Sequence, residues 1–321
     1  MPDHKRLIEV IRNNQNFYIS HQDIEIALGK VLEKQEILRI YKSIGINLKN
    51  YNNSYRFRHF DFLQKRVIED RLSELTKLYK IRLEIEDIIE TTSRYFINEE
   101  VAEDSFSLCF AEFQTAGKGR GKNKWLSPFG SGICFSIAGT LPKKLSPLGL
   151  SIYCGIIIAS EFRKIGFEGV SLKWPNDLLY RGMKLGGILI ELSTQSNGIH
   201  AFNIGIGVNY DLQKELNEIE ANIFPPTDLM QVNSRSKYSR SDLSGILAKK
   251  IIMALSAFEQ TTMNHVFQSW KEYDSFNEQK ITMIEGDKCI TGINMGINHE
   301  GALLIDEEGT IKTVYNGHLV I

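Results

Sequence analysis

Residues 113–128 read FQTAGKGRGKNKWLSP, a stretch that combines glycine, basic residues and a single tryptophan. Three glycines alternate with four basic residues before Trp125. Glycine lets backbone N–H groups approach an anion, and the basic side chains neutralise its charge. The spacing matches neither a P-loop nor a dinucleotide-binding fingerprint. The stretch therefore predicts an anion-binding loop of another kind, in which the indole can cover an adenine ring; a flexible, solvated basic loop is the alternative.

Two later segments combine glycine with polar side chains. KWPND at 173–177 precedes KLGGILIE at 184–191, where Lys184 stands just before a glycine pair. A lysine there is a point charge suited to a carboxylate or a phosphate, whereas an ordinary hairpin with Asn-Asp as turn formers is the alternative. GIGVN at 205–209 places glycines at alternate strand positions. This pattern lets a flat ligand lie against the sheet, or marks a β-bulge.

Three parts of the chain differ in pattern. Residues 1–62 predict three helices and a short hairpin, the order of a winged helix-turn-helix, with the third helix over 31–44. Residues 63–272 mix strands and helices and predict an α/β (α+β) catalytic domain. Residues 273–321 hold short strands broken by Gly, Asn and Asp, which predict a small SH3-like β-barrel.

Composition limits the classes of function. The net charge of −1 gives no overall field toward nucleic acid or membrane. The four cysteines lack metal-type spacing and are typical of reduced thiols. The first residues lack an apolar signal core, and the apolar stretch 148–162 is too short to span a bilayer. We expect a cytoplasmic protein of two or three domains without membrane association.

GKGRGKNKW-x-SP, KWPND and KLGGIL-x-E, in this order and spacing, resemble the biotin–protein ligase family over the whole chain. The three-part layout resembles the bifunctional members, which place a winged-helix repressor domain before the ligase. The resemblance implies that ATP and Mg²⁺ activate biotin to biotinyl-5′-AMP. It also implies transfer of biotin to a lysine of the biotin carboxyl carrier protein of acetyl-CoA carboxylase.

The resemblance also assigns site residues. The family's D-S-T-N biotin loop corresponds to Glu90-Thr91-Thr92-Ser93, which keeps both hydroxyls and changes the outer positions. Lys184 and Arg120 are the candidate catalytic cations, and Asp177 is a third catalytic candidate and a candidate metal contact. The biotin contacts implied are Thr91, Thr92, Gln114, Gly117, Lys118, Arg120, Lys184, Gly187, Gly205 and Gly207.

The nucleotide contacts are implied in the same way. Between Lys122 and Lys124 the family pattern leaves open which side chain meets phosphate, because Asn123 replaces a basic residue. The ATP contacts implied are Arg120, Lys122, Trp125, Asn176, Lys184 and Asn209.

The amino-terminal part leaves two alternatives. Family repressors read DNA with the helix predicted at 31–44, yet Glu33 and Glu36 stand near its start and repel phosphate. Residues 1–62 carry ten Lys/Arg and seven Asp/Glu, and Arg56 and Arg58 fall on the predicted wing. A ligand-dependent homodimer bound to operator DNA, paired near residues 193–204, is one alternative. A domain that does not bind DNA is the other.

Two other activities compete with the ligase interpretation. A lipoate–protein ligase has a different glycine-rich signature, and KWPND followed by KLGGIL favours biotin. A biotin-sensing regulator without ligase activity would need fewer charges at the phosphates than Lys184 and Arg120 provide. Both alternatives are separated from the ligase by an adenylate-formation assay.

Overall fold

The computed structural model describes residues 3–14, 16–96, 101–141, 146–194, 200–212, 224–257, 265–286 and 288–320. Three sheets organise these residues, with three, seven and five strands in chain order. No helix within the described ranges is long and apolar enough to cross a membrane.

The amino-terminal unit contains three helices and a three-stranded antiparallel sheet in the order β1-β3-β2. Ser20 and Asp23 form a reciprocal capping box at the start of the second helix, and Gly29 ends that helix in the left-handed conformation. Its elements are α1 (Asp3–Asn13), β1 (Tyr18–Ser20), α2 (His21–Leu28), α3 (Lys34–Ser43), β2 (Lys49–Tyr51) and β3 (Ser54–Arg56).

The third helix begins later than the predicted position 31. Glu33 has an extended backbone and precedes the first helical residue, Lys34. Leu32 donates its backbone N–H to the Glu25 carboxylate at 2.9 Å, outside any helix, and Val31 is 90% exposed. The start predicted from the apolar pattern was therefore wrong, because a side-chain contact to α2 holds the preceding residues in an extended turn.

A seven-stranded mixed sheet forms the central unit, in the order β4-β5-β6-β10-β9-β8-β7, with β4 and β5 parallel. Its strands are β4 (Lys80–Ile89), β5 (Ser105–Gln114), β6 (Gly132–Leu141), β7 (Val170–Lys173), β8 (Asp177–Tyr180), β9 (Met183–Thr194) and β10 (His200–Asn209).

Helices pack on this sheet, and their buried apolar residues belong to the same hydrophobic core. The apolar stretch 148–162 lies in a largely buried helix, and Ser146 caps its first turn. The helices are α4 (Lys65–Leu72), α5 (Pro147–Lys164), α6 (Leu229–Val232), α7 (Arg240–Ser256) and α8 (Trp270–Tyr273), with 3₁₀ turns at Leu75–Lys77 and Thr92–Arg94.

The carboxyl-terminal unit is a five-stranded antiparallel sheet in the order β14-β13-β12-β11-β15. A small barrel was expected, but in the part of the chain that the structure describes the outer strands β14 and β15 do not pair, so the sheet is open. The short last strand pairs with β11 instead. The strands are β11 (Lys280–Glu285), β12 (Lys288–Ile297), β13 (Leu303–Glu307), β14 (Thr310–Val314) and β15 (His318–Val320).

The segment after β3 connects the amino-terminal unit to the central unit by hydrogen bonds. The Arg58 guanidinium donates to the carbonyls of Phe129 and Asp211 at 2.7 and 2.8 Å, and to the Ser131 hydroxyl at 2.5 Å. Phe129 also donates its backbone N–H to the Gly45 carbonyl at 3.1 Å. The predicted place of Arg58 on a DNA-facing wing was therefore wrong, since its charge is used inside the molecule.

Candidate active site

A pocket opens on the central sheet between residues 115–125, which we call the glycine–basic loop, the turn at 91–94, and the carboxyl-terminal sheet. The structure brings most of the predicted site residues to this pocket. Those that line it are Thr91, Thr92, Gln114, Lys118, Arg120, Trp125, Asn176, Asp177, Lys184, Gly187, Gly205 and Gly207.

A carboxylate between two lysines forms the charged centre of the pocket. Asp177 begins β8 and accepts from Lys173 at 2.7 Å and from Lys184 at 2.8 Å, one lysine on each oxygen. Burial acts to raise the pKa of this carboxyl, but the two lysines outweigh burial and hold its pKa below the ordinary value. Asp177 is therefore ionised at neutral pH and holds two ammonium groups side by side, where an anion can meet both.

Lys173 was missed by the sequence analysis as a site residue. It pairs directly across from Asp177 in the β7–β8 hairpin and lies 4.8 Å from the centre of the Phe224 ring. Its position as the first residue of KWPND was a usable signal, because residues flanking a tight turn face each other across a hairpin.

Hydrogen bonds fold the glycine–basic loop into a small hairpin. Gly119 donates to the Asn123 carbonyl at 2.8 Å, and Trp125 donates to the Gly117 carbonyl at 2.9 Å. Gly121 at the tip has φ +62°, a conformation that favours glycine. The loop is thus a hydrogen-bonded hairpin rather than a plain linker.

Orientation separates the basic side chains of this loop. Lys118, Arg120 and Lys124 line the pocket, whereas exposed Lys122 does not. Lys118 pairs with Glu191 on β9 at 3.4 Å. The assignment of ATP contact to Lys122 stays a prediction, and Lys124 is the alternative closer to the pocket.

The Trp125 indole packs against two glycines of the central sheet, Gly207 and Gly187. A Cβ added at Gly207 would stand 2.5–2.8 Å from three atoms of the ring, and one at Gly187 would stand 3.9 Å from it. Any larger residue at the first position would force the ring away from the sheet. This close approach explains why β10 carries glycine at a position that faces the pocket.

Buried hydroxyls orient the Gln114 side chain, which also lines the pocket. Thr92 donates its backbone N–H to the Gln114 Oε1 at 2.8 Å and its hydroxyl to the same oxygen at 3.3 Å. Ser136 on β6 donates to the Thr92 hydroxyl at 2.8 Å. With its oxygen occupied, the Gln114 amide presents its NH₂ group as a donor. Ser136 was missed, since nothing in a buried strand pattern marks one serine as a partner.

Two residues predicted to contact the substrates, Gly117 and Asn209, do not line the pocket themselves. Gly117 packs against the loop backbone, where a Cβ would meet the Trp125 carbonyl at 2.5 Å. Buried Asn209 donates to the Thr227 carbonyl at 2.9 Å and to the Lys184 carbonyl at 3.3 Å. Asn209 therefore holds the backbone of Lys184 in place.

The carboxyl-terminal sheet closes one side of the pocket. Gly317, His318 and Leu319 line it, and Arg120 donates from Nη2 to the Asn316 Oδ1 at 2.6 Å. Burial lowers the pKa of the Arg120 guanidinium, and nearby Asp177 acts in the opposite direction. Sequence reasoning did not assign these carboxyl-terminal residues to the site.

A metal site is not preformed in the described ranges, where no three His, Cys, Asp or Glu side chains gather to hold an ion. Asp177 is the acidic side chain that lines the pocket, and lysines occupy both of its oxygens. Mg²⁺ commonly takes one or two carboxylates and completes its shell with phosphates and water. These residues fit an ion that arrives with a nucleotide, and the metal contact of Asp177 stays a prediction.

Comparison with known proteins agrees with this geometry. The biotin/lipoate A/B protein ligase family matches residues 87–209. The bifunctional ligase/repressor BirA of Escherichia coli is 33% identical over 233 residues, covering 72% of this chain and 71% of the relative. The protein of the same name from Bacillus subtilis is 25% identical over 341 residues, covering 98% and 97%.

A solved structure of the biotin protein ligase from Aquifex aeolicus, in complex with biotin and ATP, has a TM-score of 0.64 and 25% identity. It covers 74% of this chain and 97% of that chain. The chain therefore belongs to the biotin–protein ligase family, and the predicted resemblance and enzyme class are confirmed.

Proposed function

We propose that this chain activates biotin with ATP and transfers it to a lysine of the biotin carboxyl carrier protein of acetyl-CoA carboxylase. In the first step a biotin carboxylate oxygen bonds to the α-phosphorus of ATP, and the bond from that phosphorus to pyrophosphate breaks. In the second step the carrier amine attacks the acyl carbon of biotinyl-5′-AMP, the bond to AMP breaks, and the amine loses a proton.

The observation that carries this proposal is the cluster of Lys173, Asp177 and Lys184, which lines the same pocket as Arg120. Two anions must approach each other in the first step, so preorganised positive charge lowers the barrier more than a general base would. We assign Lys184 and Arg120 to this neutralisation and Asp177 to holding the lysines. ATP would bring Mg²⁺ to neutralise its own phosphates, with Asp177 as the candidate protein ligand.

The side chains that line the pocket suit groups of both substrates. A ureido ring offers a carbonyl and two N–H groups, which the Gln114 amide and the Thr91 and Thr92 hydroxyls complement. The Trp125 ring suits an adenine, and Asn176 lines the same pocket. The remaining proposed contacts are Gly117, Lys118, Gly187, Gly205 and Gly207 for biotin, and Lys122 and Asn209 for ATP.

The test is adenylate formation with α-labelled ATP, Mg²⁺ and either biotin or lipoate, followed by addition of a biotin carrier domain. We expect labelled biotinyl-5′-AMP and pyrophosphate with biotin alone, and biotin on the carrier lysine. Lys184→Ala should lower adenylate formation at least about 100-fold. Adenylate with lipoate instead, or tight biotin binding without adenylate, would refute the proposal in favour of a lipoate ligase or a sensor.

We propose a second role for the amino-terminal unit, which is binding of operator DNA as a winged helix in a ligand-dependent homodimer. The element order of residues 3–56 supports it, as does the bifunctional ligase/repressor name of the relative that aligns over nearly the whole chain. Exposed Lys34, Arg39 and Lys42 on α3 supply positive charge beside the two glutamates. We retain 1–62, 63–272 and 273–321 as the domain boundaries.

DNA binding is tested by gel shift with DNA from upstream of biotin synthesis genes, with and without biotin and ATP, together with the oligomeric state in solution. We expect a shifted complex and a dimer only with both ligands, weakened by Arg39→Ala. No binding to that DNA with both ligands present would favour a retained domain without DNA binding. The predicted dimer contact near 193–204 includes residues 195–199, which lie outside the described residues.

A further inference from the structure

A hydrogen bond between distant parts of the chain joins the glycine–basic loop to the carboxyl-terminal sheet. Arg120 Nη2 donates to Asn316 Oδ1 at 2.6 Å, across 196 positions of sequence. The same oxygen accepts the backbone N–H of Gly317 at 2.9 Å, so the side chain of Asn316 is held in one orientation.

The turn that carries Asn316 is itself held in place. It connects β14 with β15, and β15 pairs with β11. A Cβ at Gly317 would stand 2.7 Å from the Ile284 carbonyl, so the turn packs closely on that strand. On its other side Tyr315 donates to Glu300 at 2.8 Å. The acceptor therefore has a defined position relative to the pocket.

The acceptor is an amide and carries no charge. A carboxylate at this position would neutralise the guanidinium, whereas an amide oxygen orients it and leaves its charge available to an anion. The guanidinium has five N–H donors, and the bond to Asn316 uses one of them. The other donors stay available on the side of the pocket.

We propose that Asn316 is a positioning residue that aims Arg120 at the anions of the adenylation step, so that the carboxyl-terminal sheet completes the active site. This inference rests on the proposed role of Arg120. Asn316 acts through the arginine and touches neither substrate. Its removal should therefore slow adenylate formation and leave transfer from preformed biotinyl-5′-AMP nearly unchanged.

The experiment compares Asn316→Ala, Asn316→Asp, Arg120→Ala, the double variant Arg120→Ala with Asn316→Ala, and the control Tyr315→Phe. The control removes a hydrogen bond of the same turn without touching Arg120. For Asn316→Ala we expect kcat/KM for ATP in adenylate formation to fall about 5- to 10-fold, the loss of one hydrogen bond that water partly screens. Asn316→Asp should also lower kcat/KM for ATP, because its carboxylate keeps the hydrogen bond but neutralises the guanidinium. The control Tyr315→Phe should stay within about twofold of the starting protein.

The double variant decides whether Asn316 works through Arg120. We expect it to be no slower than Arg120→Ala alone, with melting temperatures of all variants close to that of the starting protein. An unchanged rate in Asn316→Ala, or an equal further loss in the Arg120→Ala background, would overturn the inference. A fully active Arg120→Ala protein would refute both the proposed role of Arg120 and the inference about Asn316. If the unaltered protein made no adenylate, the proposed function itself would be refuted.

Discussion

Replacing Asp177 with asparagine removes the negative charge between Lys173 and Lys184 and changes little in shape. The Asp177 side chain is only 10% exposed, and its oxygens lie 2.7 and 2.8 Å from the two ammonium groups. Removing one partner of a buried ion pair costs about 3–5 kcal/mol. The Lys184 side chain is 36% exposed, so water screens part of its charge. We therefore expect the free energy of unfolding to fall by about 2–3 kcal/mol at pH 7.

The measurement is urea unfolding followed by tryptophan fluorescence, because the three tryptophans of the chain lie at 125, 174 and 270, outside the amino-terminal unit. Glu74→Gln is the matched control. It makes the same carboxylate-to-amide change in a surface pair with Lys249, where the Glu74 side chain is 75% exposed, and should leave the unfolding midpoint unchanged. An Asp177→Asn protein as stable as the control would refute the reasoning that this carboxylate holds the lysines.

The same substitution predicts a change in pH dependence. The lysines hold the pKa of Asp177 below its ordinary value, so this carboxyl binds its proton less readily in the folded state than in the unfolded state. Its contribution to stability is complete above the unfolded pKa of about 3.9 and is lost as pH falls through the lower folded pKa. The difference in stability between the two proteins should therefore shrink below about pH 4. A difference that grew on acidification would contradict this sign.

Two further substitutions test the Trp125 ring and the Gln114 amide. Gly207→Ala places a methyl group against the Trp125 ring. Because Gly207 is also a proposed biotin contact, we expect the KM for ATP to rise about 10-fold and the biotin Kd, measured by calorimetry, to rise as well. Thr92→Val removes the hydroxyl that links Ser136 to Gln114, and we expect a biotin Kd raised about 5- to 10-fold with the KM for ATP unchanged. An unchanged KM for ATP in Gly207→Ala, or an unchanged biotin Kd in Thr92→Val, would contradict the proposed roles of the ring and of the amide.

Short-range features of the fold were predictable from sequence. The capping box of Ser20 and Asp23, the left-handed Gly29 and the cap at Ser146 all use bonds between residues at most four positions apart. The site residues within GKGRGKNKW, KWPND and KLGGIL were also predictable as a group, because each motif combines backbone freedom with charge over a few positions. Most of their members line one pocket.

Predictions that depended on distant partners were less successful. The start of α3 is set by a contact to Glu25, and the charge of Arg58 is used by carbonyls more than 70 positions away. The short strands after residue 273 were recognised from their glycine and asparagine breaks, but their closure into a barrel depended on which strands pair at the edges. Local sequence patterns carry no information about such pairings.

The residue types, their order and their spacing were enough to establish a ligase of this family and to name most of its pocket. Tertiary structure alone decided that Lys173 shares Asp177 with Lys184, that Ser136 and Thr92 hold Gln114, and that Asn316 meets Arg120. The physical reason is that hydrogen bonds and ion pairs act over about 3 Å in space, whatever the separation along the chain. Only the folded chain brings residue 316 to residue 120 and thereby gives an arginine in a glycine-rich loop a fixed direction.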